Sequence, residues 1–488
     1  MKRNIIIILT AMLLLPLTAG AQTLKGSYFL DNSVNRNKMN PAFAPRSGYF
    51  QIPAVGNISA GVMSNLDIPT FLYPSNGEML TFLNPSISVD QFDKALAKHP
   101  HLDVEAQTNL VNFGFFGGPK SYWTFDVSVN AGLDVDLPRD IFMFVKQGTG
   151  TEGQSFNVAN VNAYATASVS AALGYSREII EGLRVGGKVR FIAPVGYAAV
   201  NLENVRLTTG KEKWTAETEG YVYTAMQGLD VYIPEGETIP TAEFDLDRFL
   251  KNKALAGFGY SVDLGVEWKL NVGSIFDGLS VSAAVTDLGM IHYDTKAMAA
   301  YSTAGTVEWI GFQDVNTDYD FEASLDELVE NAKAELVNIN EEEAPSKFAR
   351  STMPRVFAGV EVPFLWRRMS VGMLYSGRFS HSYYRQELTA SLNAKPMKWL
   401  ALGVNYSFLN TASTFGWILE LTPKSGVNLF IGGDYIPAEW VSAPILDGLM
   451  EMPEALVAKG HEHLYLPMSW RLNLNFGLSL AFGSKHGR

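Results

Sequence analysis

Between Trp123 and Leu137 apolar and polar side chains alternate without a fault. The odd positions read Trp123, Phe125, Val127, Val129, Ala131, Leu133, Val135 and Leu137, and the even ones Thr124, Asp126, Ser128, Asn130, Gly132, Asp134 and Asp136. Side chains of a strand point to opposite faces in turn. Fifteen residues of strict alternation therefore predict a strand more than twice the usual five or six residues. The pattern recurs at Phe258–Trp268, Leu400–Phe408 and Leu472–Phe482. One face is apolar throughout. The other is Gly, Ser, Asn, Thr and Ala rather than the Lys and Glu of a solvated sandwich face.

Such strands fit lipid on one side and a crowded interior on the other. Backbone groups in lipid must be paired within the protein, so spanning strands have to close into a barrel. Composition agrees: 47% of residues are hydrophobic but only 18% are charged, against about 25% in ordinary soluble domains. No cysteine is present, which excludes disulfides, thiolate metal sites and a cysteine nucleophile. A formal charge of −12 argues against nucleic acid, whose binding needs a basic stripe.

Lys2 and Arg3, the apolar run Ile5–Leu17 and Ala19-Gly20-Ala21 read as a signal peptide over residues 1–21. Residues 22–47 are then an N-terminal plug or periplasmic segment, 48–483 an outer-membrane barrel and 484–488 a C-terminal tail. The expected fold is all-β, a transmembrane antiparallel up-and-down barrel of about 14 strands. Candidate strands are 48–62, 106–117, 121–137, 158–176, 182–200, 256–270, 278–293, 353–364, 368–379, 384–395, 398–410, 413–423, 426–436 and 468–483. Barrels of this type have short periplasmic turns and long outer loops. Five of the seven odd-numbered gaps are long (63–105, 138–157, 201–255, 294–352 and 437–467, against the short 380–383 and 411–412), and the even-numbered gaps, such as Gly117-Gly118-Pro119-Lys120, are all short. Both ends of the barrel domain therefore face the periplasm.

The outer loops are expected to be partly helical. Ser88 with Gln91 opens a helix through Lys98, and Ser324 with Glu327 caps another carrying Leu325, Leu328, Val329, Ala332 and Leu336. Pro453–Lys459 reads as a third. Val205–Thr209 and Trp214–Val222 read as a hairpin above the barrel.

Within the lumen, Arg184 and Lys188 on one strand and Asp263 and Glu267 on the next share an antiparallel register that sets Arg184 opposite Glu267 and Lys188 opposite Asp263. These pairs either neutralise a packed interior or form a polar constriction on a transport path. Asp126, Asp134 and Asp136 make an inward acidic row. His99-Pro100-His101 and His461-Glu462-His463 match no metal-ligand spacing, and no nucleophile elbow, Walker loop or dinucleotide fingerprint occurs. No cofactor, no metal and no enzymatic activity are expected.

Asn40-Pro41-Ala42 precedes the first strand. It resembles the Asn-Pro-Ala motif near the N-terminus of FadL-like outer-membrane barrels, including PorV-like members of Bacteroidetes. Ala284-Val285-Thr286-Asp287-Leu288-Gly289 is similar to a strand end of the same family. As a whole the chain is similar to exported Bacteroidetes barrels grouped as a domain of unknown function. The resemblance implies about 14 strands with residues 22–46 folded back as a plug. It implies either transport of a hydrophobic or other small molecule across the outer membrane, or a PorV-like interaction barrel assisting protein secretion or surface attachment. The expected partners are outer-membrane lipid and a hydrophobic small molecule or a secretion-system protein. Tyr221, Tyr223, Trp309, Phe312, Trp440 and Tyr465 are the loop aromatics placed to meet a ligand.

Overall fold

The computed structural model describes residues 24–482, apart from 76–77, 148–154, 158–159, 209–213, 233–240, 252–254, 271–277, 310–338, 343–344, 346, 381–383, 410–412, 424–425, 438–439, 445–462 and 468–470. Fourteen antiparallel strand positions form a closed ring. They are β1 (Gly48–Gln51 and Ile58–Ser64), β2 (His101–Gly118), β3 (Ser121–Asp136), β4 (Val161–Ile180), β5 (Leu183–Thr208), β6 (Gly257–Leu270) and β7 (Leu279–Tyr293). The second half comprises β8 (Arg355–Phe364), β9 (Met369–Phe379), β10 (Tyr384–Met397), β11 (Leu400–Phe408), β12 (Ser413–Leu421), β13 (Val427–Pro437) and β14 (Arg471–Phe482). Each pairs with its neighbours in sequence. Closure comes where β1 pairs on both sides, Tyr49 standing opposite Gly114 of β2 and Ala481 of β14.

The strands are inside-out relative to a soluble protein. Ser128, Ser170, Asn393, Asn405 and Ser407 are buried in the lumen, whereas Phe191 and Leu264 are 58% and 56% exposed on the outside. An exposed apolar girdle around a polar interior is stable only in lipid. No helix among the described residues is long and apolar enough to cross a membrane. The strands are the membrane-spanning elements.

Some boundaries differ from those the sequence predicts. β1 is interrupted at residues 52–57, where Ala54 takes a positive φ of 63°. β5 does not stop near residue 200 but continues to Thr208, pairing with Trp214–Met226, which pairs in turn with Met298–Trp309. The expected hairpin is thus a continuation of the barrel wall, because the backbone ladder can propagate beyond the lipid boundary without new cost. The Ser88 helix spans Val89–Ala95 and stops short of Lys98, with the Ser88 hydroxyl accepting from Gln91 N at 3.1 Å. The segments Ser324–Leu336 and Pro453–Lys459 lie outside the described residues.

Candidate functional site in the lumen

The N-terminal segment from Leu24 to Arg46 runs inside the ring. Asn40-Pro41-Ala42 forms its tightest contact with the wall. Asn40 Nδ2 donates to the carbonyls of Val266 at 3.0 Å and Ala283 at 3.3 Å, while its Oδ1 accepts from Ala42 N at 2.9 Å. The wall makes room with two glycines that face each other across β5 and β6, Gly186 and Gly265. A Cβ at Gly186 would lie 2.3 Å from the Pro41 carbonyl oxygen, and one at Gly265 2.1 Å from Asn40 Oδ1. The motif is therefore a turn fitted to a notch.

Two polar hubs hold the rest. Asp31 receives Arg46 at 3.0 Å, Arg36 at 3.1 Å, Lys395 at 3.3 Å and Lys269 at 3.6 Å. Burial by itself would raise its carboxyl, but Lys269, Lys395, Arg36 and Arg46 together hold it well below the usual carboxylate range. At the other hub, Asp434 Oδ2 accepts from the backbone N–H of Lys25 at 2.6 Å, and Lys25 Nζ donates to Glu387 and the Tyr435 hydroxyl. A bulge makes this possible. Opposite β12 the register of β13 skips Asp434 and Tyr435, Tyr435 adopts a φ of 65°, and both side chains turn into the lumen.

Beside this segment lies a cavity of about 260 Å³. Its lining includes Lys38, Lys188, Arg190, Arg350, Arg355 and Arg378 against Glu105, Asp126, Asp134 and Asp287, together with Tyr164, Tyr197, Tyr293, Ile192, Ile291 and Phe357. Four of the six cations are paired. Arg190 meets Asp263 at 3.1 Å and also Asp287, and Lys188 meets Asp126 at 3.5 Å. Arg355 donates to both oxygens of Glu105 at 3.0 and 3.1 Å, and Arg378 forms an ion pair with Glu105 and lies 3.7 Å from Asp134. Lys38 and Arg350 make no ion pair among the described residues. Lys38 Nζ reaches only the amide oxygens of Gln107 at 3.0 Å and Asn109 at 3.4 Å. Burial pushes its ammonium down to about 7, with Asp126 opposing and Lys188 and Arg190 adding to the fall. Arg350 Nε donates to the Tyr197 hydroxyl at 3.2 Å, and its guanidinium sits 4.8 Å from the Phe348 ring centroid.

The lumen charges expected from sequence are present with other partners. Arg184 does stand opposite Glu267 and Lys188 opposite Asp263. Yet Arg184 turns to Glu178 at 3.8 Å, and Glu267 is taken by Lys269 at 3.3 Å and by Arg36 at 3.5 Å. Asp263 pairs with Arg190 instead of Lys188. The N-terminal segment brings its own cation, which a strand-by-strand reading does not include. Asp287 enters through a bulge, at φ 57°, that breaks the β6–β7 register between Val262 and Leu264.

Of the loop aromatics, Tyr221 and Tyr223 stack with ring centroids 6.1 Å apart, and Tyr223 packs on Phe348 beside the Tyr164, Tyr197 and Tyr293 cluster. Trp309, Trp440 and Tyr465 lie in strand pairs opposite Trp214, Pro467 and Ser442. Phe312 lies outside the described residues. His101 Nδ1 lies 3.0 Å from the carbonyl oxygen of His99. Among the described residues no group of three or more His, Asp or Glu is placed to hold a metal ion. Sequence reasoning did not single out Lys38, Arg350, Arg355, Arg378 or Arg385. For Arg355 and Arg378 a signal exists: the hairpin that sets Phe364 opposite Met369 also sets these two arginines opposite each other.

No curated protein matches the chain. Its architecture is similar to solved structures of the toluene transporter TbuX of Ralstonia pickettii (8% identity, 93% of this chain and 95% of that one, TM-score 0.41). It is also similar to the toluene transporter TodX of P. putida (11% identity, 92% and 94%, TM-score 0.39). A third similar structure is a Pseudomonas aeruginosa FadL homologue (10% identity, 96% and 99%, TM-score 0.38). At these values the likeness says nothing about a ligand of this chain. Residues 41–434 match the sequence model of a family of unknown function, DUF5723, and the chain belongs to that family.

Proposed function

We propose that the protein is a plugged outer-membrane barrel that binds a small organic anion with an apolar or aromatic body in its lumen and passes it across the membrane. The observation that carries this reading is a local inversion of charge. The whole chain is at −12, yet the cavity lining has six cations and four carboxylates. Two of those cations, Lys38 and Arg350, face the cavity without a carboxylate. An uncharged hydrocarbon filling the space would strip water from both and return nothing. A carboxylate or similar anion would satisfy them, and the tyrosines and isoleucines of the lining fit an apolar body. A volume of about 260 Å³ lies just below the ~300–1,000 Å³ of drug-sized sites, so the ligand is small.

The test is calorimetry on the barrel in nanodiscs with three probes of similar size: benzoate, benzyl alcohol and benzylamine. Benzoate should bind and the other two should not, and Arg350→Gln should weaken benzoate by about tenfold or more, the loss of a charge-assisted hydrogen bond. Equal binding of benzyl alcohol, or tighter binding of benzylamine, would refute the reading. The alternative of an interaction barrel requires an exposed apolar patch on a closed mouth. The loop segments that would build it, 310–338 and 445–462, lie outside the described residues.

A further inference from the structure

We propose that Arg355, Arg378 and Arg385 form a second anion site at the edge of the cavity, held in the resting barrel by the protein's own carboxylates; the inference rests on the small-anion reading of the cavity. The three arginines come from adjacent strands β8, β9 and β10 and are directly opposed in the ladder, Arg355 to Arg378 and Arg378 to Arg385. Like charges so placed repel across the sheet. A row of three is stable only with anions against it.

Those anions come from the far wall. Glu105 accepts hydrogen bonds from Arg355 and forms an ion pair with Arg378, and Asp103 accepts from Arg385. Both carboxylates sit on β2, seven steps from β9 in the ring of fourteen, so the bonds cross the lumen. The row also keeps hydrogen-bond donors to spare. The Nε donors of Arg355 and Arg378 are buried with no hydrogen-bond partner. Asp134 at 3.7 Å from Arg378 and Asp287 at 4.0 Å from Arg355 complete the neutralisation, yet each guanidinium is a fork of five N–H donors that favours bidentate carboxylate or phosphate, and these two Nε donors stay unused.

Position gives the row a role. Arg355, Phe357 and Arg378 line both the 260 Å³ cavity and a second one of about 40 Å³ bounded by Lys25, Glu387 and Tyr435. These shared side chains stand between the cavity and the anchored start of the N-terminal segment, so a ligand in either space meets them. Its carboxylate can take the place of Glu105 on Arg355 and Arg378, an exchange of like for like that keeps the arginines neutralised throughout. Glu105 is in this sense an internal stand-in for the ligand.

The experiment compares wild type with Glu105→Gln, which keeps the shape and removes the charge, in planar bilayers in KCl and in benzoate calorimetry. Glu105→Gln should raise conductance, shift the reversal potential toward that of chloride and tighten benzoate by about tenfold. Adding Arg378→Gln should reverse all three. Unchanged conductance and selectivity with unchanged benzoate affinity overturn the proposal, and if wild type still binds benzoate the cavity reading survives. If neither protein binds benzoate but Glu105→Gln conducts chloride, the arginine row stands as an anion site and the cavity reading falls. Heat-modifiable migration checks folding, and Asp103→Asn serves for the same comparison should Glu105→Gln fail it.

Discussion

Lys38 offers a quantitative test of the anion reading. Its ammonium lies beside two neutral amide oxygens and no carboxylate, and burial brings its pKa to about 7. The ordinary value is about 10.4. At pH 8 only about a tenth of Lys38 is therefore charged. An anion bound against it favours the charged form. If the bound anion returns the pKa toward its ordinary value, each binding event takes up about 0.9 proton from solution at pH 8. Calorimetry of benzoate binding in buffers of different ionisation enthalpy reads this number directly as the slope of observed against buffer enthalpy. Lys38→Met should bring the slope to about zero. A slope near zero in the wild type would show that the anion does not meet Lys38. The ligand-free protein supplies the matching sign. Docked Lys38 binds fewer protons than undocked Lys38 between pH 7 and about 10.4. Its contribution to holding the segment is thus full above the ordinary pKa and is lost as pH falls through about 7. Protease protection of residues 24–46 in the ligand-free barrel should increase from pH 7 to pH 9.

Two further predictions concern the notch and the girdle. Gly186→Ala puts a Cβ 2.3 Å from the Pro41 carbonyl oxygen and should cost about 1–3 kcal/mol of docking, as overpacking does; limited proteolysis should release the N-terminal segment while the barrel still shows heat-modifiable migration. Leu264→Arg sets a charge on an outward position of β6 that is 56% exposed to the lipid side and should destabilise by about 2–4 kcal/mol if it lies near the midplane; urea titration in vesicles measures this, and an unchanged midpoint would mean that this face is not in lipid.

The ring of strands was legible because side-chain period and solvent are coupled. Trp123–Leu137 could not alternate for so long in a soluble sheet, and the structure places its even positions inward at Thr124, Asp126, Ser128 and Asp134. Register was legible too where opposite charges matched along two strands, as for Arg184 with Glu267. What was hidden is everything that crosses the lumen. Arg36 on Glu267, Glu105 on Arg355 and Lys25 on Asp434 join residues that no ladder relates. The bulges that turn Asp287 and Tyr435 inward are equally silent, since both residues carry a positive φ without being glycine. The charged cavity therefore emerges only when the ring is closed in three dimensions; most of its residues sit on a strand or segment drawn from the sequence, but Glu105 and Arg350 fall in the gaps 63–105 and 294–352.

The hold on Lys25 has a consequence for assembly order. Its backbone and ammonium are bound by Asp434, Tyr435 and Glu387, and 409 residues separate Lys25 from Asp434. The segment that begins at Lys25 therefore cannot settle until β13 is in place. Contacts so distant in sequence form late, after the loop-closure entropy of nearly the whole chain has been overcome. A barrel with its N-terminus seated is thus one whose wall has already been completed, and seating of Lys25 marks the end of assembly.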